Sequence, residues 1–75
     1  MKQLVEVIAK SLVDHPEAVQ VDEKQENQQT VLELHVAEDD MGKVIGRQGR
    51  IAKAMRTVVK AAATRENTKV TVEII

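Results

Sequence analysis

Met41-Gly42-Lys43-Val44-Ile45-Gly46-Arg47-Gln48-Gly49-Arg50-Ile51 decides how this chain of 75 residues is read. Gly46 and Gly49 stand three positions apart and separate a short helical pattern from a long one. Glycine tolerates positive φ and carries no Cβ, so another backbone can come close to it. The N–H groups that open the second helix lie just past Gly49. They carry partial positive charge, which suits a phosphate. Arg47 and Gln48 project from the turn, and Lys43, Arg50 and Lys53 surround it. Backbone approach, a helix N-terminus and cations therefore converge on one place. Taken alone, Gly-X-X-Gly is also how a helix–helix turn with a C-cap glycine looks. The flanking sequence has to decide between the two.

Upstream, residues 2–14 place Leu4, Val5, Ile8 and Leu12 at helical spacing, with Lys2, Glu6 and Lys10 opposite. Pro16 closes this helix. Val19 and Val21 alternate with polar neighbours, as on a half-buried strand. Residues 23–29 are polar throughout and read as a hairpin loop. Residues 30–37 set Leu32, Leu34 and Val36 on one strand face and Val31, Glu33 and His35 on the other. Asp39 and Asp40 offer an N-cap to a short helix over roughly 40–45. Downstream, residues 50–64 are good helix formers, Asn67 and Thr68 break the run, and Val70, Val72 and Ile74 alternate as a last strand. The order is α-β-β-α-α-β in one domain over residues 1–75. A hairpin joins the first two strands, and an αα crossover suits a third strand parallel to the one it left, by a right-handed connection. The expected architecture is α+β: a three-stranded mixed sheet with three helices on one face.

The formal net charge of −1 conceals a partition. Residues 42–65 hold seven basic side chains and no acid, while the other 51 residues hold four basic and twelve acidic ones. On the long helix Arg50, Lys53, Arg56 and Lys60 share one face, and Ile51, Met55, Val58 and Ala62 share the face expected to be core. A merely solvated helix usually interleaves Glu with Lys at i,i+4. This one does not.

Composition narrows the function. There is no Phe, Trp, Tyr or Cys. No disulfide, thiol nucleophile or Cys-based zinc site can form, and base stacking on aromatic rings is excluded, which removes the single-strand readers that depend on it. No apolar run reaches the ~18 residues of a membrane span. The opening residues lack the pattern of a signal peptide, so a cytoplasmic location is expected. A phosphate-binding P-loop fails, because Arg50-Ile51 stand where Lys-Ser/Thr are required. His15 and His35 read as isolated surface or strand-face residues, Glu38, Asp39 and Asp40 as capping residues, and Glu23 and Glu26 as solvated loop charges. No catalytic constellation stands out. An enzyme, a metal site, a cofactor and a small-molecule substrate are not expected. A chain this short buries only about 60% of its unfolded surface, so dimerisation is a natural supplement to its aliphatic core.

Val44-Ile45-Gly46-Arg47-Gln48-Gly49 resembles the Val-Ile-Gly-x-x-Gly signature of KH domains, and the element order is similar to the type II arrangement of bacterial KH domains. Gly42-Lys43-Val44-Ile45-Gly46-Arg47-Gln48-Gly49-Arg50, followed by Ala52-Lys53-Ala54-Met55-Arg56, resembles the small stand-alone bacterial RNA-binding proteins of the KhpA (YlqC-type) family, and the likeness takes in all 75 residues. The resemblance implies non-catalytic binding of single-stranded RNA, with about four nucleotides clamped by the Gly46–Gly49 loop. It implies a floor drawn from Val44, Ile45 and Ile51, at least one of which must point into the core instead. Many KH domains carry an apolar residue three positions after the second glycine. Ala52 stands there in this chain, which implies a shallow floor and weak base discrimination. The resemblance further implies homodimers, pairing with a larger KH protein (KhpB, Jag-like), and a role as RNA chaperone or post-transcriptional regulator linked in some bacteria to cell elongation and division. Two other readings stand beside it: a single-stranded DNA binder, since clamping a backbone does not demand a 2′-OH, and a protein–protein scaffold.

Overall fold

Alternating Val21, Leu32, Leu34 and Val72 give the sheet one apolar face, and helices close over it. The computed structural model describes residues 1–75. Helix α1 (Lys2–Leu12) is followed by a 3-10 turn at Pro16–Ala18, strands β1 (Gln20–Glu26) and β2 (Gln29–His35), and a second 3-10 turn at Glu38–Asp40. Helix α2 (Met41–Ile45), a third 3-10 turn (Arg47–Gly49), helix α3 (Arg50–Arg65) and strand β3 (Val70–Ile74) complete the chain. The sheet order is β1-β2-β3, with β1 antiparallel and β3 parallel to β2. This is the expected mixed sheet in the expected α-β-β-α-α-β order. No helix is long and apolar enough to cross a membrane.

The core joins Val5 and Ala9 of α1, Val21, Leu32, Leu34 and Val72 of the sheet, Val44 of α2, and Met55 and Val59 of α3. The other sheet face is polar. There Lys24 lies 3.3 Å from Glu33, and His35 Nε2 lies 3.1 Å from Asp22 Oδ2. Val31 belongs to that face by alternation yet is only 4% exposed. Lys24 and Thr71 are its register partners on either side.

Three local expectations are corrected. First, the polar stretch 23–29 is mostly strand. Its residues pair in register from Glu23↔Leu32 to Glu26↔Gln29, and only Asn27 and Gln28 form the turn, both with positive φ (48° and 67°). Backbone ladder bonds, with polar cross-strand contacts such as Lys24–Glu33 and Gln25–Thr30, hold this end of the edge strand, so it needs no apolar alternation. The two positive φ values are those of a type I′ hairpin.

Second, α3 is rotated about its axis. It buries Ala52, Met55, Val59 and Ala63, and leaves Val58 47% exposed. The buried arc is displaced by about 75° from the one the wheel predicts. Met55 and Val59 are the residues of that arc that join the core cluster with the sheet. Arg56, at the border of that arc, donates from Nε to the Val72 carbonyl at 3.0 Å, so this exposed side chain is tied to the sheet edge.

Third, Asp40 does not cap α2 with its side chain. It is 1% exposed. Its carboxylate accepts the backbone N–H groups of Asp14 (3.1 Å) and His15 (2.9 Å), and Lys43 Nζ donates to it at 3.3 Å. Burial pushes its pKa up, but those two backbone donors and Lys43 outweigh burial and hold the carboxyl below the usual range. Asp40 thus fastens the link between α1 and β1 to the foot of α2, the helix that presents the Gly-X-X-Gly loop.

Candidate nucleic-acid interface

The loop after α2 is built from left-handed backbone. Gly46 has φ 77° and ψ 171°, Gln48 φ 58° and ψ 25°, and Gly49 φ 74° and ψ 13°. The two glycines serve different ends. A Cβ on Gly46 would lie 2.6 Å from Ile51 Cγ1 and 2.9 Å from the Ile51 backbone nitrogen. Gly46 is therefore the surface on which Ile51 packs. A Cβ on Gly49 would meet nothing within 4 Å, so Gly49 keeps the left-handed turn and leaves the space above it open.

Gly49 is left-handed and Arg50 right-handed (φ −63°, ψ −37°). That change of hand turns successive N–H groups to one side and forms a concavity for an anion. The Gly49 N–H is bonded to the Gly46 carbonyl at 3.1 Å, and no side chain caps the start of α3. The first turn of a 16-residue helix thus faces the loop with its positive pole uncovered.

The expected site residues separate into groups. Gly46, Arg47, Gln48 and Gly49 form the loop, with Arg47 and Gln48 exposed at its tip. Arg50 Nη2 lies 3.4 Å from Gln48 Oε1, which ties the tip to the helix. Lys53 is exposed one turn further, and neither Arg47 nor Lys53 has a carboxylate within 4.0 Å. Lys43 is different. Its ammonium bonds Asp14 (2.7 Å) and Asp40 (3.3 Å), and these hydrogen bonds raise its pKa. Its charge is already matched, and its place is structural.

Among the apolar candidates the structure makes a choice the sequence leaves open. Val44 is fully buried in the core and presents no surface to a ligand. Ile45 is 36% exposed and Ile51 half-buried, so the accessible apolar surface beside the loop comes from these two. Adjacent apolar residues in a five-residue helix satisfy the periodicity equally well, so no signal in the sequence separates Val44 from Ile45. Ala52 is buried against the core and adds nothing to the floor. The basic face expected to hold Lys60 also holds two polar residues that the sequence did not single out. Thr57 and Thr64 share its arc of α3, and their helical spacing from Arg50 is the signal that reveals them.

For a metal ion, Asp22, Glu33 and His35 are the one cluster whose donor atoms lie within 4.8 Å of one another. Its carboxylates already have partners: Gln20 donates to Asp22 at 3.0 Å and Lys24 pairs with Glu33. It lies on the open sheet face, whereas the loop belongs to the helical layer.

A family model described as the KH domain of KhpA/KhpB matches residues 2–74. The chain is 68% identical to the RNA-binding protein KhpA of Clostridium acetobutylicum and 68% identical to that of Clostridium perfringens, covering all of both chains in each case. It is 60% identical to the KhpA of Caldanaerobacter subterraneus, again over full length. Among solved structures it is similar to part of the Aquifex aeolicus protein Era, with a TM-score of 0.66 and 18% identity over 97% of this chain and 28% of that one. That likeness concerns the fold. With its sequence matched over 2–74 and its fold in the expected order, the chain belongs to the KhpA/KhpB family of KH domains.

Proposed function

We propose that this protein binds single-stranded RNA without catalysis and clamps the sugar-phosphate backbone at Gly46–Gly49. The observation that carries this reading is the left-handed loop opening onto the uncapped start of α3, with Arg47 and Lys53 unpaired beside it. The relatives named RNA-binding proteins support the choice of ligand. Backbone N–H groups and cations hold phosphates, and Ile45 and Ile51 offer a small apolar surface for bases. With no ring to stack on and so little floor, affinity rests mainly on phosphate contacts and falls with salt. Such a module suits an RNA chaperone or post-transcriptional regulator in the cytoplasm, able to act on many sequences.

The test is a double change, Arg47→Asp with Gln48→Asp. RNA affinity is expected to fall at least tenfold at physiological salt, while circular dichroism and melting stay nearly unchanged. Affinity that survives the change shows that the loop is not the clamp. Competition with a matched DNA oligomer separates an RNA reader from a single-stranded DNA reader.

A second reading, self-association, is favoured by one observation. Val58 is 47% exposed, and Ala54, Ala61 and Ala62 share its side of α3, away from Lys53 and Lys60. A homodimer through this small-residue stripe, or pairing with a KhpB-type KH protein, covers the apolar surface and presents two loops to one RNA, with a gain in avidity. Sedimentation should show a dimer at micromolar concentration that Val58→Asp converts to monomer. A wild-type protein that is monomeric throughout that range rules the dimer out.

A further inference from the structure

The stripe of α3 that begins at the loop does not end with the loop. Arg50, Lys53, Thr57, Lys60 and Thr64 fall within an arc of about 80° along the helix, and none of these positions carries an acid. The stripe runs into a cavity of about 750 Å³ at the far end of the domain. There the β1–β2 turn, the end of α3 and the start of β3 meet. Lys60, Thr64, Asn27, Gln28, Asn67 and Lys69 are among the ten residues that line it, and no Asp or Glu is among the ten. Lys60 and Lys69 have no carboxylate within 4.0 Å. Two acids are adjacent in sequence to lining residues, and neither lines the cavity: Glu26, the register partner of Gln29, and Glu66, which falls on the opposite side of the helix axis, beside Val58.

We infer that this cavity is a second subsite for the same nucleic-acid strand. Lys60 and Lys69 would take a phosphate, and the amides of Asn27, Gln28 and Asn67 would take the edge of a base. The inference rests on the RNA-binding reading above and extends it. Side-chain amides offer a donor and an acceptor together, which is the chemistry that reads the edge of an unpaired base. Two unpaired ammonium groups beside them supply the phosphate partner. From Arg50 to Thr64 the helix advances about 21 Å. A stacked strand crosses that distance in about six nucleotides, at ~3.4 Å each. A tetranucleotide held at the loop therefore ends near the mouth of the cavity, and a longer strand enters it. The footprint is then longer than the clamp, and added length gives added affinity.

The experiment compares end-labelled, mixed-sequence RNA pools of four and eight nucleotides by fluorescence anisotropy. The wild-type chain is set against Lys60→Gln with Lys69→Gln, and against a charge-matched control, Lys2→Gln with Lys10→Gln. All four lysines are exposed, and melting curves check that each variant folds. Wild type should hold the longer pool roughly 50-fold more tightly. The cavity variant should fall to about fivefold, the gain expected from the added registers of a four-nucleotide clamp, and its salt slope on the longer pool should drop by about 1.4. Its affinity for the short pool should stay within about twofold of the control's. Backbone amides of Asn27 and Asn67 should shift in NMR spectra with the longer pool alone. A cavity variant that keeps the wild-type length dependence, or a control that loses it equally, overturns the subsite. Wild-type protein that binds neither pool overturns the RNA reading itself. Short-pool binding that survives the Arg47/Gln48 change overturns only the clamp, and the length dependence still decides the cavity.

Discussion

Gly46→Ala is expected to destabilise the domain by about 3–5 kcal/mol and to abolish RNA binding under conditions where Gly49→Ala costs only about 1–2 kcal/mol. Two independent penalties coincide at Gly46. Its φ of 77° with ψ of 171° lies in a region that only glycine populates readily, and forcing a side chain there costs about 1–3 kcal/mol. The added methyl also meets Ile51 at 2.6 Å, and at 2.9 Å it meets the Ile51 backbone nitrogen, which no rotamer change can move aside. Overpacking of that kind adds about 1–3 kcal/mol. A domain of this size has roughly 4–11 kcal/mol to lose. At Gly49 only the left-handed backbone opposes alanine, since the new methyl enters open space. Urea denaturation of both variants measures the difference. Equal losses would mean that the Ile51 contact has no weight and that the two glycines are interchangeable.

Asp40→Ala is expected to lower the thermal midpoint by on the order of 10 °C or more and to loosen a segment far from it in sequence. Its removal leaves the N–H groups of Asp14 and His15 without their acceptor and leaves Lys43 with Asp14 alone. Hydrogen exchange at the Asp14 and His15 amides should accelerate in the variant more than exchange along β2. The effect depends on pH in a fixed sense. The folded-state pKa of Asp40 is depressed below its ordinary value, so the ionised carboxylate contributes its full stabilisation above about pH 4. That contribution declines as pH falls through the depressed folded value. The gap between wild type and variant should therefore narrow on acidification from neutrality toward about pH 2. A gap that stays constant over that range would show that the carboxylate's charge is irrelevant to its role.

The parts of this fold that could be read from the sequence are those set by the chemistry of single residues or by simple alternation. Gly46 and Gly49 mark a left-handed turn because few other residues settle there. Val70, Val72 and Ile74 mark a strand, and the length of the αα crossover fixes it parallel to β2. What escaped depends on partners that a residue's own side chain does not reveal. Residues 23–26 look like loop because an edge strand is held by its partner's backbone, which leaves no trace in its own side chains. The face of α3 was misjudged because a wheel favours the bulkier Ile51 and Val58, whereas the buried face centres on Met55 and Val59 and includes the small Ala52 and Ala63. The part played by Asp40 was hidden because its backbone partners lie 25 and 26 residues upstream. At the site, loop and cations were legible, but the division of labour among Lys43, Val44 and Ile45 was not, because all three fit the same short helix.

The two outer surfaces of the domain carry opposite sign. Arg50, Lys53 and Lys60 stand on the helical layer, and Asp22, Glu33 and Glu73, against the single Lys24, project from the open face of the sheet. A molecule arranged in this way is a dipole with almost no net charge. Near a polyanionic strand it experiences little net pull and a considerable torque, which turns the helical layer toward the strand before contact and carries the acidic face away. Capture then depends less on how often the two molecules meet than on how many meetings begin in a productive orientation. Salt acts on that encounter twice, by screening the attraction of the helical layer and by weakening the torque that aims it.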